Sequence, residues 1–464
     1  MNTSKFEALC WLVFFVFALS LIYIFLNNPY YEGDTVALLQ GVSLIRVCLT
    51  KGSFSCPGIV HFPIFQYIPA LIIGNFAPSK QAILQGLALM SSMAFFSSLI
   101  LIYTTLKKVT KPCLALTAVL IMISSPFLWY AKSTFNEMVA TFVTLAFTAS
   151  VILQSSGWIV AIFSLLTGIT KETAFPFVIA IGLVALFPRV LRTPGQCKPQ
   201  IIGVAIGSLL SVIVNAGFNY FRYGSPFNIG LLQDYLIVHS SEQRLSSFLG
   251  IWLSPNGGIL FFWTSLFVYF LYIFFILISL VFRYKFRYRY IYSFLPALAI
   301  LLILFLLTLG FSSWWAPFGG ASWGPRLILP WMPSLLLLVL YFYSKETQVA
   351  LKLIFSNIWF TWASIALLFL ASLPQIIVLV YPVLLGNIFI PDSTCPQVPN
   401  IVEPSYYYYC LNHLMWTKWP PIFRYREIFI NNPSLFTYSL IYFLALSSLA
   451  YLALIESKEN LDNN

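Results

Sequence analysis

Long apolar runs separated by short polar turns follow one another along the whole chain. Most runs approach the roughly 20 apolar residues that a helix needs to cross a membrane. The predicted spans lie near 6–26, 83–105, 112–128, 138–154, 157–171, 174–188, 200–221, 260–282, 291–312, 327–343, 355–385 and 433–454. The pattern therefore predicts an all-α polytopic membrane protein with about twelve transmembrane helices. The runs 157–171 and 174–188 are short and form either two spans or one broken, re-entrant unit.

The first run, 6–26, is too long for the apolar region of a signal peptide, and no small-residue cleavage site follows it. We therefore expect an uncleaved first helix.

Three segments between spans are long: 27–82, 222–259 and 386–432. Loops of that length usually carry a function or structure of their own. In the first, the apolar spacing over 35–47 predicts an amphipathic interfacial helix, and 61–76 predicts a second. Two cysteine pairs, Cys48–Cys56 and Cys395–Cys410, are candidates for disulfides in these loops.

The composition supports a membrane protein. The chain is 60% hydrophobic and 8% charged, whereas about 25% of a soluble domain is charged. The net charge of +11 does not indicate nucleic acid, because the basic residues occupy turns between apolar runs.

These basic turns alternate along the chain, which defines an orientation. The basic residues of one side are Lys107, Lys108, Lys111, Arg189, Arg192, Lys198, Arg283, Lys285, Arg287, Arg289, Lys345 and Lys352. The acidic residues of the other side are Glu32, Asp34, Glu137, Glu172, Asp234, Glu242, Asp392, Glu403 and Glu427. The positive-inside rule then predicts that both termini are cytoplasmic.

Two carboxylates, Glu32 and Asp34, flank Gly33 just outside the first span. Carboxylates two residues apart in a glycine turn can face a metal, a phosphate-bound cation or an attacking hydroxyl. The structural alternative is that Asp34 caps the helix that begins at Thr35.

Glu137 opens the fourth predicted span, and Lys171-Glu172 lies between two short apolar runs. Glu137 either complements a helix N-terminus or, with Asn136, orients a substrate. Lys171 and Glu172 form either a self-neutralising pair at a turn or a functional charge pair at the membrane.

Two arginines lie at helix ends on the predicted outer side. Arg222 either anchors a helix end or holds a lipid phosphate. Arg326 follows Trp323-Gly324-Pro325, where a cation opposes the helix dipole and a bound anion would remove the conflict.

The sequence contains no phosphate-binding loop, dinucleotide motif or serine nucleophile elbow. His61, His239 and His413 are isolated. A nucleotide-driven reaction is therefore not expected, and the energy must come with the substrate.

These motifs, taken in order, resemble those of GT-C superfamily membrane glycosyltransferases. They are similar to the group of dolichyl-phosphate-mannose protein mannosyltransferases and aminoarabinose transferases. Asp34 matches the catalytic aspartate of the first outer loop, although Glu32 precedes it where many members have a following glutamate. Glu137 matches an acidic residue of the second outer loop, and 222–226 and 319–326 resemble motifs of bacterial members.

The resemblance implies a GT-C fold with a catalytic module at 1–345, followed by further helices at 346–464. It implies a multi-pass protein of the plasma (inner) membrane that moves a sugar from a polyprenyl-phosphate donor to a lipid, glycan or protein acceptor. Asp34 would be the general base, and Arg326, with Lys171 or Arg222, would stabilise the departing phosphate.

Glu137 and Glu32 would orient substrate or bind a divalent metal, and metal use varies in the superfamily. Glu172 and Trp323 would complete the substrate site. The alternative function is transport or flipping of lipid-linked glycans, for which Lys171 and Glu172 are the only candidate charges near the midplane.

Overall fold

A computed structural model describes most of the chain as helices. It describes residues 3–27, 33–59, 62–134, 136–171, 174–227, 241–253, 258–284, 291–313, 325–355, 358–380 and 433–462. The regular elements in these ranges are helical, so the predicted all-α class is confirmed.

The helices of the first half of the chain are α1 (Thr3–Asn27), α2 (Gly33–Thr50), α3 (Ile64–Phe76), α4 (Lys80–Val109), α5 (Pro112–Ile123), α6 (Phe127–Tyr130), α7 (Glu137–Ile152), α8 (Gly157–Gly168), α9 (Phe175–Arg192) and α10 (Pro194–Tyr223). Those of the second half are α11 (Ser241–Leu253), α12 (Ile259–Phe262), α13 (Thr264–Tyr284), α14 (Ile291–Ser312), α15 (Met332–Phe342), α16 (Ser344–Phe355), α17 (Ile358–Val380) and α18 (Pro433–Asp462). A 3₁₀ turn, Leu329–Trp331, leads directly into α15.

Each predicted span coincides with a helix. Five helices are long and apolar enough to cross a membrane: Ala8–Asn27, Lys80–Val109, Gly195–Tyr223, Phe294–Ser312 and Leu435–Ala453. Shorter apolar helices fill the remaining predicted spans. The chain is therefore a multi-pass membrane protein. The short runs 157–171 and 174–188 form two separate helices, α8 and α9.

The first outer loop contains the two helices that its pattern predicts, α2 and α3. Leu38 and Val42 of α2 pack with Tyr67 of α3 and Leu84 of α4 in a small apolar cluster. A disulfide joins Cys48 to Cys56 with a Cα–Cα distance of 5.8 Å, so one of the two candidate pairs is formed. The other pair, Cys395–Cys410, lies outside the described residues.

The centre of the bundle is α7, whose side chains are buried on nearly all sides against α4, α8, α9 and α15. Its buried threonines do not need hydrogen-bond partners from other helices. Thr141, Thr144 and Thr148 each donate to the carbonyl oxygen four residues earlier, at 2.7, 2.7 and 3.0 Å. This internal pairing satisfies the threonine hydroxyls within α7, so apolar side chains can surround the helix.

The tightest helix contact joins α8 and α10, where small residues allow close approach of the backbones. Gly203 and Gly207, four apart on α10, face the carbonyl oxygens of Gly157 and Ala161 on α8. Further along α10, the Asn215 amide donates to the Gly168 carbonyl at 3.1 Å. Small residues spaced by four are typical of packed transmembrane helices.

A break between α5 and α6 leads the chain into the segment before α7. The carbonyl groups near the break are not left unpaired, since Trp263 donates to Ile121 at 2.7 Å and Tyr442 donates to Ile123 at 3.1 Å. Ser92 of α4 donates to the Ala131 carbonyl at 2.7 Å. The bond from Ser92 holds Ala131, and with it the start of the polar segment 131–134, against α4.

Candidate active site

A pocket with apolar and polar walls opens where the start of α2, α3, α4 and the start of α7 meet. It encloses about 440 Å³ of empty space, including its open part. Its lining residues are Thr35, Leu38, Gln66, Pro69, Leu87, Met90, Ser91, Thr134, Asn136, Val139 and Arg326. The pocket thus has an apolar wall, several neutral hydrogen-bonding groups and one cation.

Arg326 and Glu137 form an ion pair at this pocket, although 189 positions separate them in sequence. Arg326 Nε lies 2.6 Å from Glu137 Oε1, and their side chains are only 11% and 4% exposed. The second oxygen, Oε2, is buried and has no hydrogen-bond partner among the described residues. Glu137 is also the first residue of α7, where a carboxylate complements the helix dipole.

Lys171 is a second cation beside this pair, in the turn after α8. Its Nζ lies 3.5 Å from the Leu327 carbonyl oxygen and 5.5 Å from the centre of the Phe311 ring. Burial lowers the pKa of Lys171, while the charge of Glu137 raises it and that of Arg326 lowers it. With both basic groups protonated, this group of two cations and one carboxylate carries one net positive charge, which suits a monoanion.

Thr35 and Thr134 connect the first outer loop to the segment before α7. Their hydroxyl oxygens lie 2.5 Å apart, and both residues are buried. Thr35 directly follows Asp34, which is the second residue of α2. The backbone that carries Asp34 is therefore held next to the pocket.

Four predicted site groups lie outside the described part of the structure: the Asp34 side chain, Glu32, Glu172 and Trp323. The roles predicted for them stay predictions.

Arg222 lies in the last turn of α10 and is not among the pocket-lining residues. Its guanidinium donates to Asn219 Oδ1 at 3.1 and 2.6 Å and to the Phe62 carbonyl at 2.7 Å. It also stacks over the Phe218 and Tyr223 rings at 4.8 and 4.5 Å. These contacts attach α10 to the first outer loop, and the predicted phosphate role of Arg222 stays a prediction.

The structure adds residues to the site that the sequence motifs did not assign. Thr35, Gln66 and Thr134 line the pocket, and Lys132 is fully buried in the turn before α7. Asn136, which the sequence offered with Glu137 as a substrate-orienting pair, also lines the pocket. The sequence feature that pointed to part of this set was the polar stretch 132–137, which lies between two apolar runs. Thr35 and Gln66 gave no signal, because they belong to helices with ordinary amphipathic spacing.

A metal site is not assembled among the described residues, where no group of three histidine, cysteine or acidic side chains lies together. Glu32 and the Asp34 side chain lie outside the described residues, and a metal bound by Glu137 and Glu32 stays a prediction.

The fold and pocket define a polytopic helical membrane protein with a buried cation–carboxylate site next to neutral polar groups. No protein-family model and no curated protein matches the sequence. The chain is similar to the apo crystal structure of ArnT from Cupriavidus metallidurans, with a TM-score of 0.47 and 16% identity over 97% of this chain and 78% of that one. The structure of the same ArnT bound to undecaprenyl phosphate gives a TM-score of 0.44 and 15% identity over 96% and 77% of the two chains.

Proposed function

We propose that this protein is a membrane glycosyltransferase that takes a sugar from a polyprenyl-phosphate donor on the extracytoplasmic side of the plasma membrane. The observation that carries the proposal is the largely buried group of Arg326, Glu137 and Lys171 at a pocket whose walls combine apolar and neutral polar groups. Two cations and several neutral hydrogen-bonding groups suit a ligand that joins a phosphodiester to a sugar.

A lipid-linked donor fits the surroundings of this pocket better than a nucleotide sugar. Leu38, Pro69, Leu87, Met90 and Val139 supply apolar surface within the pocket, and the chain around it is built of apolar helices. The sequence offers no nucleotide-binding motif. A polyprenyl chain can remain in the bilayer while its phosphate reaches the cations at the helix ends.

In the proposed reaction, Asp34 takes the proton from an acceptor hydroxyl as its oxygen attacks the anomeric carbon. The bond between that carbon and the phosphate oxygen breaks, and the phosphate leaves with the bonding electrons. Arg326 and Lys171 stabilise the charge on the leaving phosphate. Attack from the face opposite the phosphate inverts the anomeric configuration.

Glu137 holds Arg326 in this scheme. Its carboxylate accepts a hydrogen bond of 2.6 Å from Nε of Arg326 and so fixes the position of a guanidinium, a planar group that suits a phosphate. Glu137 therefore orients the phosphate-binding group, and Asp34 performs the proton transfer.

The test uses purified protein in lipid nanodiscs, labelled undecaprenyl-phosphate hexoses and pentoses, and cell-envelope lipid and glycan acceptors. Wild type should transfer label and release undecaprenyl phosphate. Asp34→Asn should abolish transfer, and Arg326→Gln should reduce it by about 100-fold or more, as expected for loss of a transition-state charge partner. The matched control for Arg326→Gln is Lys198→Gln. It removes one cation as well, but Lys198 is exposed near the start of α10 and does not line the pocket.

Full transfer by Asp34→Asn would remove Asp34 as the base. Movement of intact labelled donor across the membrane, with no cleavage by wild type, would instead favour the flippase alternative.

A further inference from the structure

We infer that Asn136 determines sugar specificity, its side-chain amide donating a hydrogen bond to a hydroxyl group of the donor sugar. This inference rests on the proposed function and names the chemical group that the pocket recognises. Asn136 lines the pocket immediately before α7.

The usual structural role of asparagine at this position is absent. An asparagine before a helix normally accepts a hydrogen bond from a backbone N–H of the first turn. Asn136 makes no such cap, and its backbone is already helical, with φ −83° and ψ −2°. Its side chain is therefore not engaged in starting α7.

The Asn136 amide nitrogen, Nδ2, is buried and has no hydrogen-bond partner among the described residues. A buried donor without an acceptor is unfavourable, and folded proteins rarely retain one without a reason. At a pocket wall, that reason is an acceptor on a ligand.

Two other buried asparagines show what a structural asparagine looks like in this protein. The Asn215 amide donates to the Gly168 carbonyl at 3.1 Å and joins α10 to α8. The Asn219 amide donates to the Pro226 carbonyl at 3.4 Å, while its oxygen accepts from Arg222. Both have packing partners, whereas the amide nitrogen of Asn136 has none in the described structure.

The polar groups near Asn136 indicate that the ligand group it contacts is a hydroxyl. Oε2 of Glu137, the next residue, is a buried acceptor with no partner in the described residues. A hydroxyl can accept from an amide and also donate to a carboxylate, whereas an ammonium group cannot accept and a carboxylate cannot donate. Thr35, Gln66 and Thr134, also on the pocket wall, are neutral as well. The pocket therefore fits a hydroxylated neutral sugar, with a hydroxyl rather than an amino group facing Asn136.

The first experiment compares binding of undecaprenyl phosphate with binding of undecaprenyl-phosphate glucose, mannose, galactose and arabinose in nanodiscs. Wild type should bind at least one glycosylated lipid more tightly than the bare phosphate. Asn136→Leu should bind the bare phosphate as wild type does and lose the sugar-dependent gain, by about tenfold for one hydrogen bond in a buried site.

The control separates recognition from folding. Asn136→Leu should unfold at the same temperature as wild type or a higher one, because an unsatisfied donor is removed. Asn215→Leu should lower the unfolding temperature, because it breaks the bond to Gly168.

The second experiment leaves the protein unchanged and uses monodeoxy versions of the preferred donor. Wild type should lose about tenfold in affinity at one deoxy position, and Asn136→Leu should be indifferent at that same position. Additive losses at every position, or a sugar-dependent gain that survives in Asn136→Leu, would overturn the inference while leaving the phosphate site intact. Failure of wild type to bind undecaprenyl phosphate at all would overturn the proposed function and this inference together.

Discussion

The ion pair of Glu137 and Arg326 links the loop before α7 to the segment before α15. Both side chains are largely buried, and Lys171 is coupled electrostatically to both. Removing one member of a buried pair leaves an uncompensated charge, which typically costs about 3–5 kcal/mol. The three charges are not equivalent, because the carboxylate is shared by two cations.

This sharing predicts an asymmetry between two conservative substitutions. Glu137→Gln leaves two cations facing each other, whereas Arg326→Gln leaves Glu137 with Lys171. We expect Glu137→Gln to lower the unfolding temperature in detergent more than Arg326→Gln does. Equal effects, or the reverse order, would show that Lys171 does not compensate Glu137. Lys198→Gln, an exposed cation, should leave the unfolding temperature unchanged.

Lys171 also predicts a pH dependence. Burial lowers the pKa of Lys171 below its ordinary value, so the cation loses its proton at a lower pH than an exposed lysine, which titrates near about 10.4. We therefore expect kcat/KM for the lipid donor to fall on the alkaline side as Lys171 is neutralised. In Lys171→Arg the fall should move to higher pH, because a guanidinium stays charged.

Stability should respond to the titration of Lys171 in the opposite direction from kcat/KM. Because the folded pKa is lowered, the unfolded chain binds more protons across the interval between the two pKa values, and the contribution of Lys171 to stability rises with pH there. A loss of kcat/KM in that interval without a loss of stability would therefore indicate titration of the site. A parallel fall of the unfolding temperature would contradict this explanation.

Among the helices, the contact of α8 with α10 depends on glycine more than any other. A methyl group added at Gly207 would overlap the Ala161 carbonyl oxygen and the Ser164 side chain. Gly217, on the same helix, faces open space. The two positions therefore form a matched pair within one element.

We expect Gly207→Ala to lower the unfolding temperature, because α8 and α10 must move apart. Gly217→Ala should leave it unchanged or raise it, since alanine is preferred to glycine in a helix by about 0.5–1 kcal/mol. Thermal unfolding of both variants in the same detergent is the measurement. A stable Gly207→Ala would mean that the backbones of α8 and α10 are farther apart than described.

The whole molecule has an orientation that the charge pattern predicts. Helix α4 offers an internal test, because it runs from Lys80 to Val109 and has exposed lysines at both ends, Lys80 and Lys108. The pattern places Lys80 outside and Lys108 in the cytoplasm.

Single cysteines in place of Lys80 and Lys108 would test this orientation in intact cells. A membrane-impermeant maleimide should label Lys80→Cys directly and Lys108→Cys only after permeabilisation. Among the described residues the free cysteines Cys10, Cys113 and Cys197 are buried. Wild type labelled in the same way gives the background of all native cysteines, including Cys395 and Cys410. Labelling with the opposite sidedness would put the pocket on the cytoplasmic side and exclude an extracytoplasmic donor site.

Sequence by itself determined the elements and the rough location of the site. The spans near 291–312 and 433–454 match α14 and the first turns of α18 closely, and the amphipathic stretch 35–47 lies within α2. Such features are local, because a helix must satisfy its own backbone and bury a continuous apolar surface in lipid. Charge bias likewise predicted that Glu137, Lys171 and Arg326 lie on one side of the membrane.

Only the tertiary structure decided which of these residues meet. It brings Arg326 to Glu137 and Lys171, and it engages Arg222 with Asn219 and Phe62 instead. It also adds Thr35 and Gln66 to the pocket, although nothing in their spacing marks them. The physical reason is that hydrophobic periodicity reports the medium around each helix, whereas side-chain pairing across 189 positions depends on how the helices pack.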